Sequence, residues 1–321
     1  MTTKTRRATG GTRLTRPSLD GAGVPWSLRQ FEGLTILEAA LLKKFKWVVH
    51  GFSTRPGGNS ELNHMIEGRA VQEKVLNLGF TDWDTRQRVE RNREKFARAI
   101  GAREMHLITL RQIHSDIIHA VDDVPAHLVQ GDAIVTQTCG LLISVQTADC
   151  IPMLLLDPAN RAVAAIHAGW RGTVRRVAAK TVGRMRMLYG TKPEDVLAAI
   201  GPGIARCSYE VGSDVVREFA SQFPMARDWF AGPYDQLCSD EDPNPLPWLT
   251  MMPPGHQPPA PRAMLDLPEA NRSILREAGL KPENIATAEF CTACRTDLFF
   301  SYRRERNTGR QMAAIGILTG N

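Results

Sequence analysis

The stretch "SVQTADCIPMLLLDPANRAVAAIHAGWRG" (144–172) sets Cys150 at the head of one apolar run and His167 near the end of the next. A thiolate and an imidazole are both good zinc ligands. Between the runs, "DPAN" (157–160) has the proline and asparagine of a tight turn, so the pair reads as a hairpin. With those four residues as the loop, Leu156 opposes Arg161 and Cys150 faces His167 directly. Opposed residues share a face with Cβ atoms about 4.5–5.5 Å apart, close enough for one ion to bridge them. Pro152 argues for a break in the ladder or a bulge at that point.

A third ligand must come from elsewhere in the chain. Among the histidines, His114 in "LRQIHSD" is the best placed, where an apolar strand runs into Ser115 and Asp116; His106, His119 and His127 are less well placed. Two histidines and one cysteine leave one corner of a tetrahedron open, the catalytic form of a zinc site. Isolated histidines and cysteines are more often packed or surface residues, and spacing alone leaves that reading open. Arg55 in "FSTRPGG" and Arg171 in "AGWRGT" lie beside glycines that admit a ligand to the backbone, so both are anion candidates. Arg171 also precedes a helix N-terminus, where phosphate is favoured. "CTAC" (291–294) has no second CxxC to complete a four-cysteine site and reads as ordinary thiols. Arg303, Arg304, Arg306 and Arg310 read as a solvated cluster around a final turn.

The elements that must position these groups alternate between strand and helix. Strand-like runs occupy 44–54, 105–121, 131–150 and 195–204, and "RPGGNS" (55–60) reads as a turn. Helical spacing runs from an Asp84 cap to about Ile100, from Thr173 to Leu188, and over 213–223 and 268–279. The segment 299–318 resembles a hairpin turning near Asn307 and Gly309. Strands and helices without a regular βαβ repeat predict a single layered α/β domain, 25–321, with a mixed sheet core and packed helices. Prolines exclude regular structure from 231–262, which reads as a surface insertion.

Composition bounds the function class. Of 321 residues, 43% are hydrophobic and 23% charged, an ordinary globular balance. The six scattered cysteines make no secreted disulfide framework, and no apolar run approaches the roughly 18–20 residues of a membrane span, so a reducing cytoplasm is expected. Five of the basic residues behind the net charge of +6 lie in residues 1–16 with no acid among them. The segment 1–24 therefore reads as a disordered basic tail, and the body as nearly neutral, so nucleic acid is not the expected partner. P-loop, GxGxxG, HExxH and GxSxG signatures are missing.

At "GFSTRPGG", "NLG" (77–79), "RQIHSD", "GDAIVT", "QTADCIPMLLLDP", "AAIHAGWRGT", "AIGPGI" and "CTACRTDLFFSYRRERNTGRQ" the chain resembles the laccase-domain family, also called multicopper polyphenol oxidases. Its members are now regarded as purine nucleoside phosphorylases, and some are called peptidoglycan editing factor. The resemblance implies an α-β-β-α sandwich and a zinc ion on His114, Cys150 and His167. It implies phosphorolysis of adenosine, inosine, guanosine and methylthioadenosine, with adenosine deamination as a second activity. Arg55 is then the first phosphate ligand and Arg171 the second, Asn77 a substrate or phosphate contact, and Asp149 a proton carrier. One departure is "FTDWD" (80–84), where the family has a histidine and a "GD" pair. Rival readings are a metal-free Cys–His hydrolase built on Cys150 and His167, a copper oxidase, and a nucleic-acid binder using the basic arm. No two of the eight histidines form the HxH pair of a multicopper centre, although a site of this kind can take copper in vitro.

Overall fold

The runs "IPMLLLD" and "AVAAIHA" show no polar alternation, the pattern of strands covered on both faces. In the computed structural model, which describes residues 25–66, 69–238 and 261–319, they form the paired strands Ile151–Asp157 and Ala162–Ala168 at the centre of a six-stranded sheet. Leu197–Ile200 and then Ile285–Thr287 flank them on one side, Ala133–Thr136 and then Ile118–Ala120 on the other. A second six-stranded sheet runs in the order Trp26–Phe31, Leu34–Ala39, Val48–Ser53, Gln311–Ile317, Leu141–Thr147, His106–Ile108. Both sheets mix parallel and antiparallel pairs.

Alternation along the central strands explains the layers. Leu154, Leu156, Val163 and Ala165 meet Phe52, Ile143, Val145 and Ile315 of the other sheet. Their neighbours Met153, Leu155, Ala164 and Ile166 pack beneath the helices Val177–Tyr189, Ser213–Gln222 and Leu267–Glu277. The outer face of the second sheet, with Ile36, Leu142 and Ala314, is covered by Phe96 and Ala99 of the helix Arg86–Ala99. The result is the four-layer α-β-β-α sandwich, with the two sheets back to back. His167 keeps step with Val163 and Ala165, so it points between the sheets at the end of its strand.

Several expectations need correction. The hairpin loop is Pro158–Arg161, with Asp157 opposite Ala162 and Pro152 opposite His167. Cys150 is therefore a diagonal neighbour of His167 and not its direct partner. The slip is an even number of residues, so both stay on one face. Pro152 is an ordinary member of the strand: the His167 N–H turns away to Asp132 O, so the ladder to Ala162–Ala168 has no bond there for the proline to lose. The helix expected from Thr173 is two pieces, Trp170–Val174 and Val177–Tyr189, broken where Arg176 takes φ +59°. Thr85, not Asp84, caps the helix Arg86–Ala99. Instead of a turn and loop, Pro56–Ile66 and Arg69–Val75 make an antiparallel pair. No final hairpin forms: Ser301 accepts from Arg304 N and starts the helical turn Tyr302–Glu305 ahead of the strand Gln311–Ile317. The proline-rich stretch begins with a helical turn, Tyr234–Cys238; residues 239–260 and the basic segment 1–24 lie outside the described residues.

Candidate metal centre

At the end of the sandwich His114, Cys150 and His167 converge, their ligand atoms all within 4.8 Å of one another. His114 Nε2 lies 3.8 Å from Cys150 Sγ, and the two imidazoles meet edge to face at 5.0 Å between centroids. Each comes from a different local device. His167 ends a central strand; Cys150 follows Asp149, which at φ +88° turns the chain into Ile151–Asp157; His114 sits in the loop after His106–Ile108. Gly169 closes the arrangement. A Cβ there would stand 2.9 Å from both Cys150 Sγ and His114 Cδ2, so the glycine of "HAGW" makes room for the ligands.

The residue that organises the centre is Asp132, which is fully buried and lies in "GDAIVT", a segment in which spacing singles out no ligand. Its Oδ1 accepts from His167 Nδ1 at 2.8 Å and from His114 N at 3.0 Å. Its Oδ2 accepts from Ile113 N and from both Ser115 N and Ser115 Oγ, the latter two at 2.6 Å. One carboxylate thus commits the Nδ1 face of His167, leaving Nε2 for a metal, and holds the backbone that carries His114. His114 has φ +58°, a strained conformation for a residue with a Cβ, and the three backbone N–H bonds to Asp132 stabilise it. A lone acid heading an all-apolar strand was the available signal, because a buried carboxylate must be paired.

Burial opposes every charge here, and the partners overcome it. Burial raises the Asp132 pKa, but bonds from His167 and Ser115 hold it down at about 2. Without metal, burial works against the Cys150 thiolate, yet His167 and His114 bring its pKa down to about 6. Burial likewise lowers His167, but Cys150 and Asp132 lift it to about 9. A soft thiolate, two imidazole nitrogens and a carboxylate behind one imidazole are a donor set that fits zinc.

The centre opens into a cavity of about 720 Å³, within the range of small-molecule sites. Phe80, Trp170, Tyr209 and Tyr302 supply aromatic surface, and Arg303, Arg306 and Arg310 supply positive charge. Burial, with the Cys150 thiolate, pushes the Tyr209 phenol far up, so it stays a proton donor. Asp149 lines the cavity, but Thr292 Oγ1 and Arg303 N occupy its two oxygens at 2.7 and 2.6 Å, so it positions Arg303.

The other expected residues fall elsewhere. Arg55 is buried outside the cavity lining, paired with Glu73 at 2.7 Å and Glu305 at 2.5 Å and lying over Phe300. Two carboxylates already engage its guanidinium, apart from the arginines that face the cavity. Arg171 is exposed and stacks on Trp170 outside the lining. Asn77 is fully buried; its Oδ1 accepts from Gly79 N and Arg310 N, and its Nδ2 donates to Asp84 Oδ2. It shapes the wall rather than lining it, and Gly79 lets Arg310 pass, since a Cβ would meet Arg310 Cγ at 2.5 Å.

A family profile described as "Multi-copper polyphenol oxidoreductase laccase" matches residues 49–318. The chain belongs to this family. Among its relatives, the purine nucleoside phosphorylase of Deinococcus radiodurans is 36% identical over 288 residues, covering 89% of this chain and 94% of that one. Adenosine deaminase RL5, from an unknown prokaryotic organism, is 32% identical over 277 residues, 83% of this chain and 93% of that one. The crystal structure of YlmD from Geobacillus stearothermophilus superposes with a TM-score of 0.72 at 28% identity, covering 92% of this chain and all of that one. That structure therefore shares the back-to-back sandwich described above. Among the described residues no helix is long and apolar enough to cross a membrane.

Proposed function

We propose that this chain is a zinc-dependent purine nucleoside phosphorylase, cleaving adenosine, inosine, guanosine and methylthioadenosine with phosphate, and that it deaminates adenosine as a second activity. The observation that carries the reading is the convergence of His114, Cys150 and His167 in the wall of a cavity that also offers aromatic faces and arginines. The names of the relatives support both reactions.

The chain's own residues divide the work. Trp170, Tyr209 and Phe80 offer flat apolar surface on which a purine stacks. Arg306 and Arg310 hold phosphate beside the ribose, where a planar guanidinium binds two oxygens at once. This juxtaposition converts attack on the anomeric carbon into an intramolecular step. The Tyr209 phenol, kept protonated by burial, donates to the base or the leaving nitrogen. His114, Cys150 and His167 would hold the ion, which would supply Lewis acidity when bound.

A second reading is favoured by one observation. Without metal, Cys150 and His167 form a thiolate–imidazolium pair, the arrangement of a cysteine nucleophile. Incubation of the purified protein with adenosine, with and without phosphate, separates the two. Phosphate-dependent ribose-1-phosphate supports the phosphorylase; its absence from metal-replete protein, with covalent trapping at Cys150, replaces it with the hydrolase.

A further inference from the structure

Three more cysteines meet on the other side of Asp149. The "CTAC" turn is closed by Cys294 N and Arg295 N donating to Cys291 O, and it brings Cys291 and Cys294 to Cys207, from the segment that follows Leu197–Ile200. All three Sγ atoms lie within 4.8 Å of one another, with Cys207 and Cys294 at 3.4 Å. Thiolates bound to one zinc at about 2.3 Å stand roughly 3.8 Å apart, so the sulfurs are already near ligand spacing. Hydrogen-bond donors surround the sulfurs: Ala205 N donates to Cys291 Sγ at 3.4 Å, and Ser208 Oγ lies 3.2 Å from Cys294 Sγ and 3.6 Å from Cys207 Sγ. A cavity of about 760 Å³, lined by Cys207, Cys291, Asp266 and Glu289, gives a cation a route in.

We infer that Cys207, Cys291 and Cys294 form a second metal site, distinct from His114, Cys150 and His167, that takes one thiophilic cation, Zn²⁺ or Cu⁺. Each ligating thiol loses its proton to solvent as the metal–sulfur bond forms. The site clamps the turn that bears Thr292. Thr292 N donates to Gly203 O at 3.0 Å, Thr292 Oγ1 donates to Asp149 Oδ1, and Ile204 N donates to Asp149 O. The ion therefore braces the residue immediately before Cys150 from behind, and its role is positional. The number of sulfurs, not their softness alone, sets it apart: a disulfide would use two and leave Cys291 unexplained.

The test uses the full chain purified without oxygen and without added metal. It is then loaded in separate arms with Zn²⁺ or with Cu⁺ and measured by native mass spectrometry and elemental analysis. Two ions per chain are expected in at least one arm, and the arm that fills the second site names its metal. Cys207→Ser/Cys294→Ser should bind one, and Cys150→Ser/His114→Ala should also bind one. A second readout needs no variant: iodoacetamide should label the exposed Cys139 in loaded protein, and Cys207 and Cys294 only after a chelator is added. A single ion per chain in the wild-type protein in both arms, equal labelling of all exposed thiols before chelation, or a Cys207–Cys294 disulfide in peptide maps of the anaerobic protein would overturn the assignment.

Discussion

Replacing Asp132 by asparagine changes one atom in the buried carboxylate and removes its charge. Both oxygens face only donors: His114 N and His167 Nδ1 on one, Ile113 N, Ser115 N and Ser115 Oγ on the other. Whichever way the amide lies, its NH₂ meets donors. If it faces His167, the imidazole must present a bare Nδ1 and carry its proton on Nε2, which removes the metal-binding lone pair. If it faces Ser115, two backbone N–H groups lose their acceptor, and the φ +58° conformation of His114 loses part of its support. Loss of an outer partner of a ligand costs about 10–100-fold in metal affinity, or about 1.4–2.7 kcal/mol. Breaking a buried charged network costs about 3–5 kcal/mol of fold stability. Competition against a chromophoric chelator reads the first, and urea unfolding of the metal-free protein reads the second. Asp132→Asn binding zinc as tightly as wild type, with an unshifted urea midpoint, would refute the orienting role.

Other substitutions separate the remaining parts. His114→Ala and Cys150→Ala should each lose the ion of this centre and the phosphorolysis; full turnover with zinc retained in either would remove that residue from the ligand set. Arg306→Ala and Arg310→Ala should raise the phosphate KM by about 10-fold or more, the loss of a charged hydrogen bond worth about 1.5–3 kcal/mol. Arg55→Ala should instead lower the melting temperature, because it removes a buried guanidinium bonded to both Glu73 and Glu305, and leave the phosphate KM near wild type; the reverse pattern restores Arg55 as the phosphate ligand. His50 gives a pH prediction. Burial holds its pKa near 4 against an ordinary 6.5, so between those values the unfolded chain binds a proton that the native one refuses. Stability is full above pH 6.5 and falls by up to about 3 kcal/mol as pH drops toward 4. His50→Gln, whose amide oxygen can still accept from Ala39 N, should flatten that slope in urea titrations at pH 6.5 and 4.5, and an unchanged slope would assign the loss elsewhere.

The central strands were legible because an apolar run without alternation has no other stable place than between two layers. Their register was not. The loop moved by one residue, which shifts every opposed pair by two, because Arg161 takes φ +50°, a conformation usually announced by glycine or asparagine. The even slip preserved the face shared by Cys150 and His167, so the two side chains still converge despite the wrong register. Arg176 broke a helix for the same reason, with φ +59° at a residue that gives no warning. The surroundings of Arg55 and Asn77 were not legible because their partners, Glu305 and Arg310, are more than two hundred residues away in sequence. Cys207 joined "CTAC" by the same kind of long-range contact, which spacing within one motif cannot show.

The proposed chemistry depends on one ion held by His114, Cys150 and His167. A diffraction measurement at the zinc absorption edge, on crystals of the zinc-loaded protein, tests this directly. It should show an anomalous peak within about 2.0–2.3 Å of two imidazole nitrogens and the Cys150 sulfur. A map with no peak between those three side chains, from protein that still releases base and ribose-1-phosphate, would contradict it.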